Sequence, residues 1–140
     1  MTRIVARICR IVYSNPGVRC LTVEEINQAG LCVIGLVQQA AFKPEFQALS
    51  HGLEVSTRSK LYNFGPQTVD GVIRVGGRLG NSSLSLNEMH PILLPKNRHI
   101  TKLIISHRHQ QTFNQRRGQT LNQIRSQGFW ILSASKAVIF

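Results

Sequence analysis

The dipeptide Asp70-Gly71 restricts the fold of this chain more than any other feature of its sequence. A two-residue connection between antiparallel strands needs left-handed backbone at both positions, which glycine adopts freely and aspartate tolerates. An Asp-Gly pair between β-forming runs therefore signals a tight hairpin. The flanks are residues 67–69 and 72–75, inside the run LYNFGPQTVDGVIRVGGRL, which is rich in β-formers and punctuated by glycine. Gly76-Gly77 just beyond suits a bulge or bend. It does not suit a phosphate-cradling loop, because neither Gly-x-Gly-x-x-Gly nor the Lys-containing phosphate loop is present. Pro91 and Pro95 then bracket a short apolar strand, Ile92–Leu94.

Helical patterns stand on either side of this β-rich middle. Thr22 and Glu25 have the spacing of a capping box, and Ile26, Ala29, Val33, Leu36, Val37 and Ala40 recur at helical intervals to about Ala41. Gly30 and Gly35 should weaken that helix, each by about 1 kcal/mol relative to Ala. Pro44 suits the first turn of a second, short helix carrying Phe46 and Leu49, which Gly52 would end. After the strand, Asn97 is placed to cap a helix in which Ile100, Leu103, Ile104 and His107 share a face. Gly118 and Thr120 open another helix with Leu121 and Ile124, closed by Gly128 before the apolar cluster Phe129 to Leu132. Helix, glycine-containing turn and second helix fit a helix-turn-helix outline. The expected class is α+β: N-terminal helices, a small β-hairpin region, and a C-terminal helix-turn-helix-like unit.

Charge narrows the partners. The 140 residues carry 17 Lys and Arg against 6 Asp and Glu, a net +11, and no acidic residue follows Glu88. A field of that sign attracts polyanions, nucleic acid first and an anionic membrane surface second. Candidate phosphate contacts are Lys102, Arg108, Arg116, Arg117, Arg125 and Lys136. Cys9, Cys20 and Cys32 have the spacing of neither a metal knuckle nor a disulfide scaffold, and read as thiols in a reducing compartment. No apolar run approaches the roughly 18 residues of a membrane span, so no membrane partner is expected. At the N-terminus, Ile4, Ile8 and Ile11 share a helical face beside Arg3, Arg7 and Arg10. That pattern is common to presequences, surface-seeking helices and ordinary amphipathic helices.

The stretch HRHQQTFNQRRGQTLNQIRSQGFW reads as half a zinc site with one ligand overwritten. A His pair separated by four residues can bring two imidazoles to one tetrahedral ion, usually completed by Cys-x-x-Cys. Here His109 is followed at that spacing by Asn114, and no cysteine pair follows. Asn is a poor zinc ligand beside imidazole, and His107 lies on a different helical face from His109. His51, His90 and His99 read as surface or satisfied core residues. Nor does the composition favour catalysis. Two-metal phosphoryl chemistry needs clustered carboxylates, yet the chain's one aspartate, Asp70, sits in a predicted turn. No Gly-x-Ser-x-Gly elbow is present. The expectation is a non-enzymatic chain.

Taken in order, LTVEEINQA with VQQAAF, DGVIRVGGRL, HPILLPKNRHITKLIISHRH and GQTLNQIRSQGFWI resemble the polyprotein of BEL/Pao-type long-terminal-repeat retrotransposons. The resembling segment leads into and contains the integrase zinc-binding domain. The resemblance implies residues 1–60 as a helical linker segment, 61–95 as a small β-rich extension, and 96–140 as a truncated zinc-binding-like helical domain. In that family two His and two Cys hold zinc; His109 matches the first ligand position, and Asn114 stands at the second. The resemblance therefore implies a degenerate copy with no cofactor retained, zinc being implied by family alone. It further implies association with DNA or other nucleic acid, contact with other integrase segments, and residence in the nucleus. The competing expectations are a structural module of a retroelement polyprotein and a functionless relic.

Overall fold

The computed structural model of the chain describes residues 22–77, 83–111 and 117–134. Its class is α+β: helices packed around a four-stranded sheet of order β1-β2-β3-β4. Helix α1 is Val23–Ala41 and α2 is Lys43–Ser50, followed by a single 3-10 turn at Tyr62–Phe64. Strands β1 (Gln67–Val69) and β2 (Val72–Arg74) lead to the one-turn helix α3 (Leu86–Met89) and to β3 (Ile92–Leu94). Helices α4 (His99–Gln111) and α5 (Arg117–Ser126) then precede β4 (Phe129–Ile131).

The hairpin forms where the Asp-Gly pair places it. Asp70 and Gly71 have φ of 54° and 78°, the two left-handed residues that a mirror-image type I turn needs, and β1 pairs antiparallel with β2. The following glycine pair serves another purpose. A Cβ on Gly76 would lie 2.0 Å from the Gly65 carbonyl oxygen, so the bend at Gly76 is a close crossing of two backbones that admits no side chain. Thr22 caps α1 as its spacing predicts: its hydroxyl accepts from the Glu25 N–H at 3.2 Å, and the Glu25 carboxylate accepts from the Thr22 N–H at 2.9 Å. Such a cap stabilises a helix by about 1 kcal/mol.

The last strand is a finding the sequence did not announce. Phe129–Ile131 pairs in parallel with β3, Ile92 opposite Phe129, Leu93 opposite Trp130 and Leu94 opposite Ile131. The helix pair α4–α5 is therefore the crossover between two parallel strands, which is the connection parallel pairing requires. Period-two alternation divides the strand residues between two cores. Val72, Ile92, Leu94 and Ile131 join Ile34 of α1, Ile105 of α4 and Ile124 of α5, whereas Ile73, Leu93 and Trp130 join Leu61, Val55 and the Phe42–Phe46–Leu49 side of α2. Residues from before, within and after the β-rich middle thus share one core.

Two expected helix faces and one expected cap need correction. The core side of α1 is Leu31, Ile34, Gly35 and Gln38, while Ile26 and Val33 are exposed, because apolar residues occupy two sides of this helix and the sheet takes the second. Gly35 is a packing residue there: a Cβ would come within 3.0 Å of the Gly71 carbonyl oxygen, so its lack of a side chain lets α1 approach the hairpin turn. On α4, Thr101 and Ile105 are buried while Leu103 and His107 are exposed, and the helix begins at His99, leaving Asn97 ahead of the cap position. The Thr101 hydroxyl donates to the Pro95 carbonyl at 2.7 Å and ties α4 to the end of β3.

One polar side chain holds the sheet together at its centre. Strands β2 and β3 share a single register pair, Arg74 with Ile92. Beside it the fully buried amide of Gln38 is inserted between the strands. Its Nε2 donates to the carbonyls of Ile73 (2.9 Å) and Leu93 (2.6 Å), and its Oε1 accepts from the Ile73 N–H (2.7 Å). Gln38 thus satisfies backbone groups that a continuous ladder would have paired.

Candidate nucleic-acid interface

The basic candidates that the structure describes sit on the crossover helices. Lys102 is exposed on α4 and Arg125 is exposed on α5, and the two helices are packed together through Ile105, Ile124 and their neighbours. Arg108, half-buried near the end of α4, donates from Nη1 to the Gln111 side-chain oxygen at 2.6 Å. Arg117 is the first residue of α5. Arg116 and Lys136 lie outside the described residues, as does Asn114. Arg98, exposed one turn before Lys102, adds a cation that the charge pattern alone did not single out.

Arg125 has a defined position. Its guanidinium lies 4.7 Å from the centre of the Trp130 ring, and Trp130 in turn meets Phe64 with ring centres 6.1 Å apart at 59°. Stacking occupies the guanidinium face and leaves its in-plane N–H edge for oxygen acceptors, so the aromatic platform orients the cation without neutralising it. The sequence carries this pairing only as two residues on either side of Gly128, and the β4 register that turns Trp130 toward the second core is what brings them together.

No acidic residue lies on α4 or α5. All six Asp and Glu fall within the described residues, and no three of them gather into a cluster. Asp70 is in the hairpin turn. Glu88 accepts from the Ser85 N–H and hydroxyl in the capping box of α3, and the backbone bond foremost, with the hydroxyl second, holds its carboxyl below the usual glutamate range. The Ser-x-x-Glu signature of that box was legible and marks a helix that hydrophobic spacing alone passes over.

Zinc finds no matching donor set among the described residues. His109 is half-buried one turn beyond Ile105, and no three His, Cys, Asp or Glu come together around it or elsewhere. His107 is exposed, its Nε2 3.2 Å from the Gln111 side-chain nitrogen. The half-buried Cys32 is an unpaired thiol on α1; Cys9 and Cys20, with the N-terminal Ile and Arg pattern, lie outside the described residues. His90 is a satisfied structural residue, its Nδ1 3.0 Å from the Val75 carbonyl.

Two further features escaped sequence reasoning. Arg74, nearly fully buried in β2, donates from Nη1 to Asn87 Oδ1 and to the His90 carbonyl, both at 3.0 Å, while its Nε has no acceptor among the described residues. Burial pushes this guanidinium below its ordinary pKa and Asp70 partly opposes the shift. An open groove of about 870 Å³ lies beside the second core, between the end of α2 and β1, lined in part by Leu53, Tyr62, Phe64 and Pro66. None of the basic candidates lines it. No helix among the described residues is long and apolar enough to cross a membrane. Comparison with family models, curated proteins and solved structures finds no match for this chain.

Proposed function

We propose that this chain is a non-catalytic nucleic-acid-binding segment, related to the integrase zinc-binding region of BEL/Pao-type retrotransposons, which engages the phosphate backbone through its crossover helices. The observation that carries this reading is the charge partition. From residue 89 onward there is no carboxylate side chain, and the solvent-facing cations Arg98, Lys102 and Arg125 lie on one α4–α5 unit or at its start. Phosphate contact of this kind positions a protein on a duplex without reading bases. Ile105 of α4 and Ile124 of α5 pack into the first core and hold the two helices on the sheet.

Affinity should be on the order of 10⁻⁴ to 10⁻⁶ M at physiological salt and should fall as salt rises, because each neutralised phosphate releases condensed counterions. The test is titration with a duplex oligonucleotide at several salt concentrations, read through Trp130, the chain's one tryptophan. Substituting Arg125→Gln should lower the salt slope by about one and weaken all sequences alike. A chain that shows no binding at about 50 mM salt, where this term is strongest, is not a phosphate-binding segment.

A further inference from the structure

Strand β1 is an edge of the sheet, and Gln67 and Thr68 of that edge line the open groove beside the second core. Gln38 fixes which backbone groups of β1 face outward. Antiparallel pairs alternate between those that exchange backbone bonds and those that do not. Ile73, opposite Thr68, turns its N–H and carbonyl to Gln38, so the N–H and carbonyl of Thr68 point the other way, off the free edge of the sheet. They have no bonding partner among the described residues, and Thr68 is exposed. In the same groove stand Leu53 and Tyr62, 63% and 44% exposed, with Phe64 half-buried. An unpaired strand edge beside an apolar groove supplies both parts of peptide recognition by strand addition, main-chain bonds for affinity and a pocket for side chains.

We propose that this edge and groove bind an extended peptide with an apolar centre and basic flanks, which joins the sheet beside β1. Its main chain bonds to the N–H and carbonyl of Thr68, and the side chains on that face enter the groove against Leu53, Tyr62 and Phe64. Charge selects the occupant. Glu54 is the one charged residue among those lining the groove, and Asp70 is exposed at the end of β1. Arg58 and Lys60, close by in sequence, do not line it. A carboxylate-bearing groove on a chain of net +11 repels a polyanion locally and favours a cationic peptide, whereas pairing with a second copy would bring two such positive chains together. The edge is short, with Pro66 before it and the hairpin turn after it. That confines pairing to a few residues and guards against unlimited sheet growth. None of the basic candidates lines this site, so it does not rest on phosphate binding.

The probe is a pool of octapeptides with two lysines at each end and valine, leucine, tyrosine or phenylalanine at the four central positions, added to the full chain. Amide exchange reads the docking directly: the Thr68 N–H should exchange about tenfold or more slowly with the pool present, while Ile73, already bonded to Gln38, should not change. Thr68→Pro removes the outward N–H without taking a bond from the ladder, a change that edge strands accept, and should weaken binding of the fluorescein-labelled pool about tenfold. Leu53→Gln alters only an exposed side chain and should weaken it about fivefold, even if the proline variant folds poorly. Glu54→Gln with Asp70→Asn keeps an Asn-Gly turn, removes both charges and should also cost about fivefold. Leu103→Gln, an exposed apolar residue on α4, is the control and should change nothing. Unchanged Thr68 exchange with the pool at about 1 mM, the weakest binding of interest, would overturn the proposal. So would equal binding of a pool with glutamate in place of lysine. A peptide-free dimer, seen by light scattering and dissociated by Thr68→Pro, would overturn it too, since the occupant would then be a second copy.

Discussion

The two seams on either side of β3 are closed by different means. Between β3 and β4 the backbone does the work, with three successive register pairs and flanking bonds from the Ile92 N–H to the Gly128 carbonyl (2.7 Å) and from the Leu132 N–H to the Leu94 carbonyl (3.1 Å). Between β2 and β3 the ladder reduces to one register pair and the bond from Val75 N–H to Pro91 carbonyl (2.9 Å), and the side chains of Gln38 and Arg74 fill in around it. A backbone ladder tolerates many sequences. A seam closed by a buried amide depends on one residue, because a group left unpaired in the interior carries its full desolvation cost.

The largest expected difference between the seams therefore comes from Gln38→Leu. It strips partners from two buried carbonyls and one N–H and should cost about 4 kcal/mol, taking each orphaned group at about 1–3 kcal/mol. Urea unfolding followed at Trp130 measures the loss, and hydrogen exchange should show Ile73 opening before Leu132; equal protection at both amides would show that the seams are not distinct. Gly76→Ala comes next, at about 3 kcal/mol, since the new methyl meets the Gly65 backbone and overpacking is relieved only by moving one chain off the other. The same melts report it, and β1–β2 amides should suffer more than those of β4. Arg74→Met should be milder, within about 1 kcal/mol of neutral: the variant gives up two hydrogen bonds but also removes a desolvated charge, and such exchanges often balance. A loss as large as that of Gln38→Leu would make the guanidinium an equal partner in the seam.

The smallest effect is that of pH on α3, which follows the first of these strands. The Glu88 carboxyl is held below its ordinary pKa by the Ser85 N–H and hydroxyl, so its capping contribution is present above the ordinary glutamate value and is lost as pH falls through the lower, folded value. The difference in urea midpoint between the unsubstituted chain and Glu88→Gln should shrink over that acid range. A constant difference would mean that the cap does not depend on the charge.

What the sequence disclosed and what it withheld follow the same division between local and distant causes. The Asp70-Gly71 hairpin, the Thr22–Glu25 cap, Pro44 in the first turn of α2 and strand Ile92–Leu94 are set by neighbours a few residues away, and each was legible. The role of Gln38 was not, since a glutamine in an amphipathic pattern reads as solvent-facing until the strands it bridges, 35 and 55 residues onward, are in place. The face of α1 was ambiguous for a physical reason: both of its sides are apolar. At the candidate interface, the cations were legible as composition, but the ring that orients Arg125 depends on the parallel register of β4. His109 was singled out for its spacing, and the described surroundings give it no company of metal-binding type.

The parallel pairing of β3 with β4 has a further consequence in the order of synthesis. A ribosome that has delivered Leu94 has released a strand whose second edge waits for residues that have not yet been translated, through all of α4 and α5. Until Phe129–Ile131 emerges, the sheet presents an unpaired apolar border of Ile92, Leu93 and Leu94, the kind of edge on which nascent chains associate with one another. The helix pair that bears the positive charge is also the stretch being made during that interval.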